Sequence, residues 1–541
     1  MTFLSLANLA CFAQIKGKYT NLFNEQQIKA DIKTLSDDKY EGRAPGTKTG
    51  EAAAQYIADR LKEIGVKPAN NGSYFQPVSL FAVKTNPNTV LDVNGAKYKF
   101  GDDFVGSTGA QTADVKLDAD LVFVGYGIDA PEQKWNDYKG NPENYRGKIL
   151  VIMVNDPPAT PEEPNLFGGK ALTYYGRWTY KYEQAARMGA AGVILIHTTD
   201  SAGYGWNVVR TSNGGWRYDV ARAPDDKTPF LQFRAWMTED TARKIFAQAG
   251  KNLDALQEKA KSRDFQPVNL GLKAKLDVES ETKKVDSNNV VGIWYGSDAK
   301  LKNEYVVYSA HWDHLGVGEP DKNGDRIYNG AVDNASGCAS ILAIAGAIAK
   351  LPKAEQPRRS QVFLFPTAEE QGLLGAEWFT KHPIFPVDKI AANINHDGAN
   401  LYGWTMEYGA RGAERSSLGA VVNEVLKERG TTFSPDEHPE QGFFFRSDHF
   451  PFAKVGVPSL NIESGTNYVG QDRDAARRRW EEYNTRQDHQ PSDNFDESWR
   501  YDGVIQSLEI SMAIGLKVSN APKLPAFKSS DEFAKSQPNR Q

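Results

Sequence analysis

The spacing of apolar positions along the chain changes twice. Residues 49–66 (TGEAAAQYIADRLKEIGV) put Ala53, Tyr56, Ile57 and Leu61 on one face at helical spacing, with Thr49 in place to cap the first turn. From about Val83 to Val285 the pattern becomes short β-like runs broken by Pro, Gly and Asp, such as DADLVFVGYGI (118–128) and GKILVIMVN (147–155). One helical stretch interrupts them, YEQAARMGAAGVILIH (182–197), where a helix carrying Ala185 and Met188 stops at Gly189 and leads into a buried strand. From about Lys284 to Asn520 strands and helices alternate. Strands are predicted at 288–295, 305–310, 361–367, 390–395 and 458–463, and helices at 336–350, 372–380, 416–429 and 501–518. That alternation predicts an α/β fold, a mostly parallel mixed sheet sandwiched by helices, with an inserted β-rich domain. The corresponding segments are an N-terminal stretch (1–17), a first part of the main domain (18–85), the insert (86–283), the rest of the main domain (284–520) and a polar tail (521–541) expected to be disordered.

Composition narrows this picture. A chain of 541 residues is too long for one ordinary core, and 40% hydrophobic with 25% charged residues suits a packed protein. A net charge of −5 gives no electrostatic reason to expect nucleic acid. Two cysteines, Cys11 and Cys338, rule out a disulfide framework, and Cys338 falls in the apolar stripe of a predicted helix as a small buried hydrophobe. The opening MTFLSLANLACFAQ resembles the apolar part of a secretory signal with Ala13 as a cleavage position, although no Lys or Arg precedes it. A lipidated Cys11 is a second reading, against which Asn8 stands. The expectation is a periplasmic or secreted protein, with no later run of apolar residues long enough to span a membrane.

The chemistry is densest in residues 309–337, SAHWDHLGVGEPDKNGDRIYNGAVDNASG. His311 and Asp313 sit just past a predicted strand and Asp333 at the entrance to a helix, the edge of an open α/β sheet where ligands bind. Four more polar clusters follow apolar runs and are expected on the same edge: Glu369 with Glu370, Asp397, Ser447–Asp448–His449, and His489. Two imidazoles with three or four carboxylates describe a seat for one or two divalent cations. Without cysteine ligands zinc is the natural choice, with manganese or cobalt able to replace it. Two divalent ions opposed by Asp333, Glu370 and Asp397 leave roughly one positive charge for hydroxide, the pattern of a site that activates water. On an irregular segment the neighbouring Glu369 and Glu370 can diverge, one toward metal and one toward that water. His314 and His396 read as local hydrogen-bonding residues, and Asp321 to Asp325 as a polar turn. The pattern alone leaves His449 and His489 both open as the second imidazole.

Taken together, HWD, NGAVDNASG, AEEQGLLG, NHDG and a late His-x-x-x-Asp resemble the M28 metallopeptidases, the co-catalytic zinc aminopeptidase family. The resemblance implies two divalent ions, Zn2+ in the first instance, held by His311, Asp333, Glu370, Asp397 and His489, with Asp333 bridging. It implies Glu369 as the general base, Asp313 orienting His311 from behind, and Asp448 and His449 behind the ligands or in the substrate pocket. Asp488 departs from the resemblance, because many members carry an aromatic residue there, often a Tyr that stabilises the oxyanion. The segments VGYG and MGAAGVILIH resemble the protease-associated domain, a small insert of several peptidase families. The implied activity is a zinc-dependent exopeptidase that hydrolyses N-terminal residues from peptides. A carboxypeptidase, a glutaminyl-cyclase-like enzyme and a non-catalytic binding protein are the alternatives. The aromatic-rich stretch 203–218 is either a specificity wall or the insert's own packing.

Overall fold

A computed structural model describes residues 17–202, 205–223 and 225–537. The N-terminal stretch with Cys11 and Ala13 lies outside the described residues, as do Gly203 and Tyr204. The chain divides into two compact units, one of Met1–Ser79, Asp286–Glu437 and Phe443–Gln541, the other of Leu80–Val285 with His438–Gly442.

The first unit is α/β. Strand Tyr305–Ser309 lies parallel to Ser360–Phe365 on one side and to Ile390–Asn395 on the other, and Ile390–Asn395 is parallel to Ser459–Ser464. Antiparallel strands flank this group: residues 290–294 against Ser360–Phe365, and Glu407–Arg411 against Ser459–Ser464. Alternation along each strand sends side chains to opposite faces. Val306, Tyr308, Phe363 and Phe365 enter a core with the helices Glu25–Leu35, Lys48–Ile64, Gly337–Ala349 and Tyr501–Asn520. Val307, Val362 and Leu364 pack the other way against Phe379 and Phe452 of the helices Leu374–Lys381 and His449–Lys454. Phe379 and Phe452 are fully buried, and burying each contributes roughly 1.5–3 kcal/mol.

The helix Lys48–Ile64 is capped by Thr47, whose side chain accepts from the Gly50 amide, and not by Thr49. Thr49 lies inside the first turn and donates its hydroxyl to Glu41 instead. Gly337–Ala349 buries Cys338, Ile341, Leu342, Ala345 and Ile348 as its spacing predicts, and nearly every other residue too. Among the described residues one helical stretch, Ala331–Ala349, is long and apolar enough to cross a membrane, and 78% of it is buried inside the protein.

The second unit holds a sheet in which Ile149–Met153, Gly192–His197 and Phe233–Thr238 run parallel, with Phe104–Thr108 antiparallel at one side. The helix Trp178–Arg187 starts earlier than the spacing suggested and is followed by Gly189 at φ 74. Its Tyr182, Ala185 and Ala186 pack on Leu150, Ile152, Val193 and Leu195. Of the aromatic-rich stretch, Trp206 and Val209 pack into this same core.

Several elements depart from the sequence reading: the second unit holds the helices Trp206–Gly214, Glu239–Gln248 and Leu253–Ala260 beyond the one expected, and the first unit adds the helix His449–Lys454. Strand Glu407–Arg411 and helix Arg473–Arg486 were not predicted, the latter because Ala476 is its sole buried residue and no apolar stripe marks it. The tail, expected to be disordered, packs: Phe527 and Phe533 are buried, and Asp531 pairs with Arg415. Two aromatic anchors in a polar stretch outweigh its average composition.

Candidate metal centre

The parallel strands end together, and the loops that follow carry most of the polar clusters. After Ser309 the chain stays extended because the Ala310 and Trp312 amides donate to Leu364 and Pro366 carbonyls. His311 thereby points inward, with Nδ1 3.2 Å from the Asp313 carbonyl, which leaves Nε2 as the inward atom. The Asp313 carboxylate is 3.7 Å from Nδ1 and accepts the Glu369 amide at 3.0 Å. It therefore ties the His311 loop to the glutamate loop, and burial pushes it up to about 7.

Asp333 enters through a turn set by Gly330 in the left-handed region, and its peptide to Asn334 is cis. Asp493 holds that turn by accepting the Val332 and Asp333 amides at 3.0 and 3.1 Å. Asn334 then joins two loops: its amide group donates to the His396 carbonyl, and its oxygen accepts from the Gly398 amide, each at 3.0 Å. Asp397 is clamped between those two contacts.

Arg43 lies beneath. It is fully buried and donates to the carbonyls of Trp312, Leu35, Asn329 and Gly330 at 2.8, 2.8, 2.5 and 2.9 Å. Gly42 before it has φ 67, and a Cβ there would meet the Gly316 carbonyl at 2.5 Å, so this position admits only glycine. The loop of residues 41–50 (EGRAPGTKTG) thus forms part of the floor of the site.

Ala368 sits at φ 54, a left-handed conformation that costs an alanine about 1–2 kcal/mol, and the chain turns there. The turn sends Glu369 and Glu370 apart. Glu369 Oε2 lies 3.9 Å from His311 Nε2, while Glu370 Oε2 lies 3.0 Å from His489 Nε2 and Oε1 2.5 Å from His314 Nδ1. Burial, with Asp397, Glu370 and Asp448 nearby, holds Glu369 well above the usual carboxylate range. Burial and Asp333 also raise Glu370, but His489 and His314 overcome them and hold it down to about 2. Two adjacent carboxyls are thereby driven to opposite protonation tendencies, the arrangement that separates a proton-carrying group from an ionised one.

The remaining distances fit a metal. His311 Nε2 is 3.1 Å from Asp333 Oδ1 and 3.3 Å from Asp397 Oδ1, and His489 Nε2 is 3.3 Å from Asp333 Oδ2 and 3.0 Å from Glu370 Oε2. Donors at zinc distances of about 2.0–2.1 Å in a tetrahedron stand about 3.3–3.4 Å apart. Among the described residues no Lys or Arg forms an ion pair with Asp333, Glu369, Glu370, Asp397 or Asp488; the nearest fixed cation is Arg43, which acts on Asp333 through space while its N–H groups are spent on carbonyls.

The structure therefore brings together His311, Asp333, Glu369, Glu370, Asp397 and His489. His489 arrives from the end of helix Arg473–Arg486 with φ 56, not from a strand end. Asp448 is buried within electrostatic reach of His311, Asp313, Asp397 and Glu370, and burial raises it well above its ordinary range. His449 turns away onto the Phe444 ring at 5.0 Å. His314 bonds Glu370, and His396 bonds Ser511 Oγ at 2.8 Å. The clamping roles of Arg43 and Asn334 carried no sequence signal beyond an Arg next to Gly in a loop and an Asn after the metal-type Asp.

Comparison with known proteins finds relatives for the part of the chain that holds this site. The profile described as Peptidase family M28 matches residues 289–512, which hold all six converging side chains. Probable leucine aminopeptidase 2 of Aspergillus oryzae is 24% identical over 80% of this chain and 71% of its own. A vacuolar membrane protease of Lodderomyces elongisporus is 34% identical, over 21% of this chain, and the match spans about a tenth (10%) of that relative's length. The solved aminopeptidase from Aneurinibacillus sp. strain AM-1 shares the fold at a TM-score of 0.50, with 16% identity and coverage of 93% of this chain and 95% of that one. Residues 289–512, with histidines and carboxylates gathered at the strand ends inside the matched region, are therefore similar to peptidase family M28.

Proposed function

We propose that this chain is an aminopeptidase with two zinc ions, removing N-terminal residues from peptides. The observation that carries the reading is the division of Asp333 between two imidazoles, with one oxygen beside His311 and the other beside His489. One ion would be held by His311, Asp397 and Asp333, the other by His489, Glu370 and Asp333. When bound, the ions supply the Lewis acidity that makes water nucleophilic and a peptide carbonyl electrophilic. Glu369 is the proton carrier. Its carboxylate faces the His311 side, takes a proton from the attacking water and hands it to the departing amine. Asp313 keeps Glu369 in place through its backbone amide.

Charge favours the amino end of the substrate. A free α-ammonium is welcome beside Asp397, which is 26% exposed at the rim of a carboxylate-rich group. A substrate carboxylate would find no Lys or Arg paired into that group. We read the unit of residues 80–285 as a protease-associated insert that lends no catalytic side chain, and the chain as exported.

Aminoacyl amides with free and N-acetylated amines test the polarity, and Glu369→Gln tests the mechanism. The free amine should be cleaved and the blocked one not. Glu369→Gln should lower kcat by about 10²–10⁴-fold at unchanged zinc content. Equal turnover of the blocked substrate would overturn the aminopeptidase reading, and full activity in the variant would overturn Glu369 as the base.

A further inference from the structure

Helix Arg473–Arg486 ends at the metal group, fastened there at two points. The Tyr483 hydroxyl donates to Asp493 Oδ2 at 3.3 Å, the same carboxylate that holds the Val332 and Asp333 amides. The Tyr483 carbonyl accepts the Asp488 amide at 2.9 Å. The backbone of Asp488 is thus set by a helix end that is itself tied to the turn beneath Asp333.

Neighbouring residues of a regular helix or strand point to different sides. Here the left-handed φ of 56 at His489 breaks that rule. Asp488 and His489 both face Asp333, and the ligand-type atoms of the three lie within 4.8 Å of one another. Among the described residues no Lys or Arg pairs with Asp488. Its strongest electrostatic neighbours are His489, of opposite sign, and Asp333, Glu370 and Asp397, all of its own sign. A carboxylate whose backbone is fixed by this helix end, set in a group of like charge, calls for a cation at that spot.

We propose that Asp488 is a further protein ligand of the ion seated by Asp333, Glu370 and His489. This rests on the two-ion reading and adds to it. The His489 seat then has four protein donors, three of them oxygen, whereas the His311 seat has His311, Asp397 and Asp333. By the distinction between filled and open zinc sites, the His489 seat is closed. The His311 seat keeps the free position, on the side where Glu369 stands. The two ions therefore differ in affinity, with the His489 seat the tighter, and a hard ion such as Mn2+ is accepted there more readily than at the other.

The test is competitive titration of Zn2+ into the chelator-stripped full chain against a chromophoric chelator, for the wild type, Asp488→Asn and Asp488→Tyr. The wild type should take up two ions in two resolvable steps. Each variant should weaken the tighter step by at least the 10–100-fold that loss of an outer partner costs, and leave the other step unchanged. The unchanged step and an unchanged circular dichroism spectrum show that the fold is intact. Two steps of wild-type affinity in Asp488→Asn overturn the assignment while leaving the two-ion reading in place. Uptake of one ion by the wild type overturns the two-ion reading, and Asp488 then stands or falls on whether that single ion weakens in the variant. No uptake overturns both.

Discussion

Replacing Arg43 with methionine tests whether one side chain holds the floor of the metal centre. The guanidinium reaches carbonyls from three separate segments: Leu35, Trp312, and the neighbouring Asn329 and Gly330. Methionine fills much of the same volume and donates nothing, so four buried carbonyls lose the Arg43 donor. The Gly330 carbonyl keeps the Ala335 amide, so three are left unsatisfied, and at about 1–3 kcal/mol each the simple sum is about 3–9 kcal/mol. Relaxation of the loop and relief of the buried charge reduce this, and removing one partner from a buried ionic network costs about 3–5 kcal/mol. The expected loss is in that lower range. Arg43→Lys keeps the charge but not the planar fork, and three donors on one nitrogen cannot serve carbonyls spread over three segments. It should therefore fall close to the methionine variant and well below the wild type. Urea denaturation followed by near-ultraviolet circular dichroism, with chelator present and the two units fitted as separate transitions, measures the loss. Zinc affinity should fall as well, because the Trp312 carbonyl lies between His311 and Asp313 and the Gly330 carbonyl just before Asp333. A methionine variant within about 1 kcal/mol of the wild type, with unaltered zinc affinity, would refute the reasoning.

Two further outcomes follow from the same geometry. Burial first, then Arg411 and Arg415, push His449 down to about 3 from its ordinary 6.5, so the fold favours the neutral ring. That contribution is complete above pH 6.5 and drains as pH falls toward 3, with about 2 kcal/mol gone by pH 5. The urea midpoint should drop between pH 7 and pH 5, and His449→Gln should flatten the drop; an equal drop in both would assign acid sensitivity elsewhere. Zinc at 100 times its dissociation constant should stabilise the unit holding the site by about 2.7 kcal/mol per seat, and a chelator should reverse it. Differential scanning calorimetry with and without chelator checks this, and a transition indifferent to both would mean that the ions do not bind the folded group.

How much of the site could be read from the chain depended on where each residue sits relative to a strand. His311, Glu369 and Asp397 each follow an apolar run that is a strand, so their convergence at one edge was legible from pattern alone. His489 follows a helix of mostly charged residues that buries little, and only the family resemblance singled it out over His449. Arg43 was illegible because its partners are backbone carbonyls distant in sequence, which leave no residue-type signature. The divergence of Glu369 and Glu370 was legible as chemistry, but the means, a left-handed turn at Ala368, was not. Asp313 shows the same limit. A carboxylate behind a histidine was readable, but not that it grips the next loop's amide.

The packed tail changes what can safely be cut away. Phe533 meets Phe444 and Phe450 with ring centres 6.3 and 6.0 Å apart, and these rings flank the Ser447–Asp448–His449 segment at the back of the centre. Asp531 and Glu532 neutralise Arg415. Trimming the chain near Pro522, which its composition invites, would strip the half-buried Arg415 of both counter-ions and bare an aromatic cluster. A shortened protein would be recovered as aggregate or as a sluggish enzyme, and the fault would be laid on the active site when the damage lay in a discarded terminus.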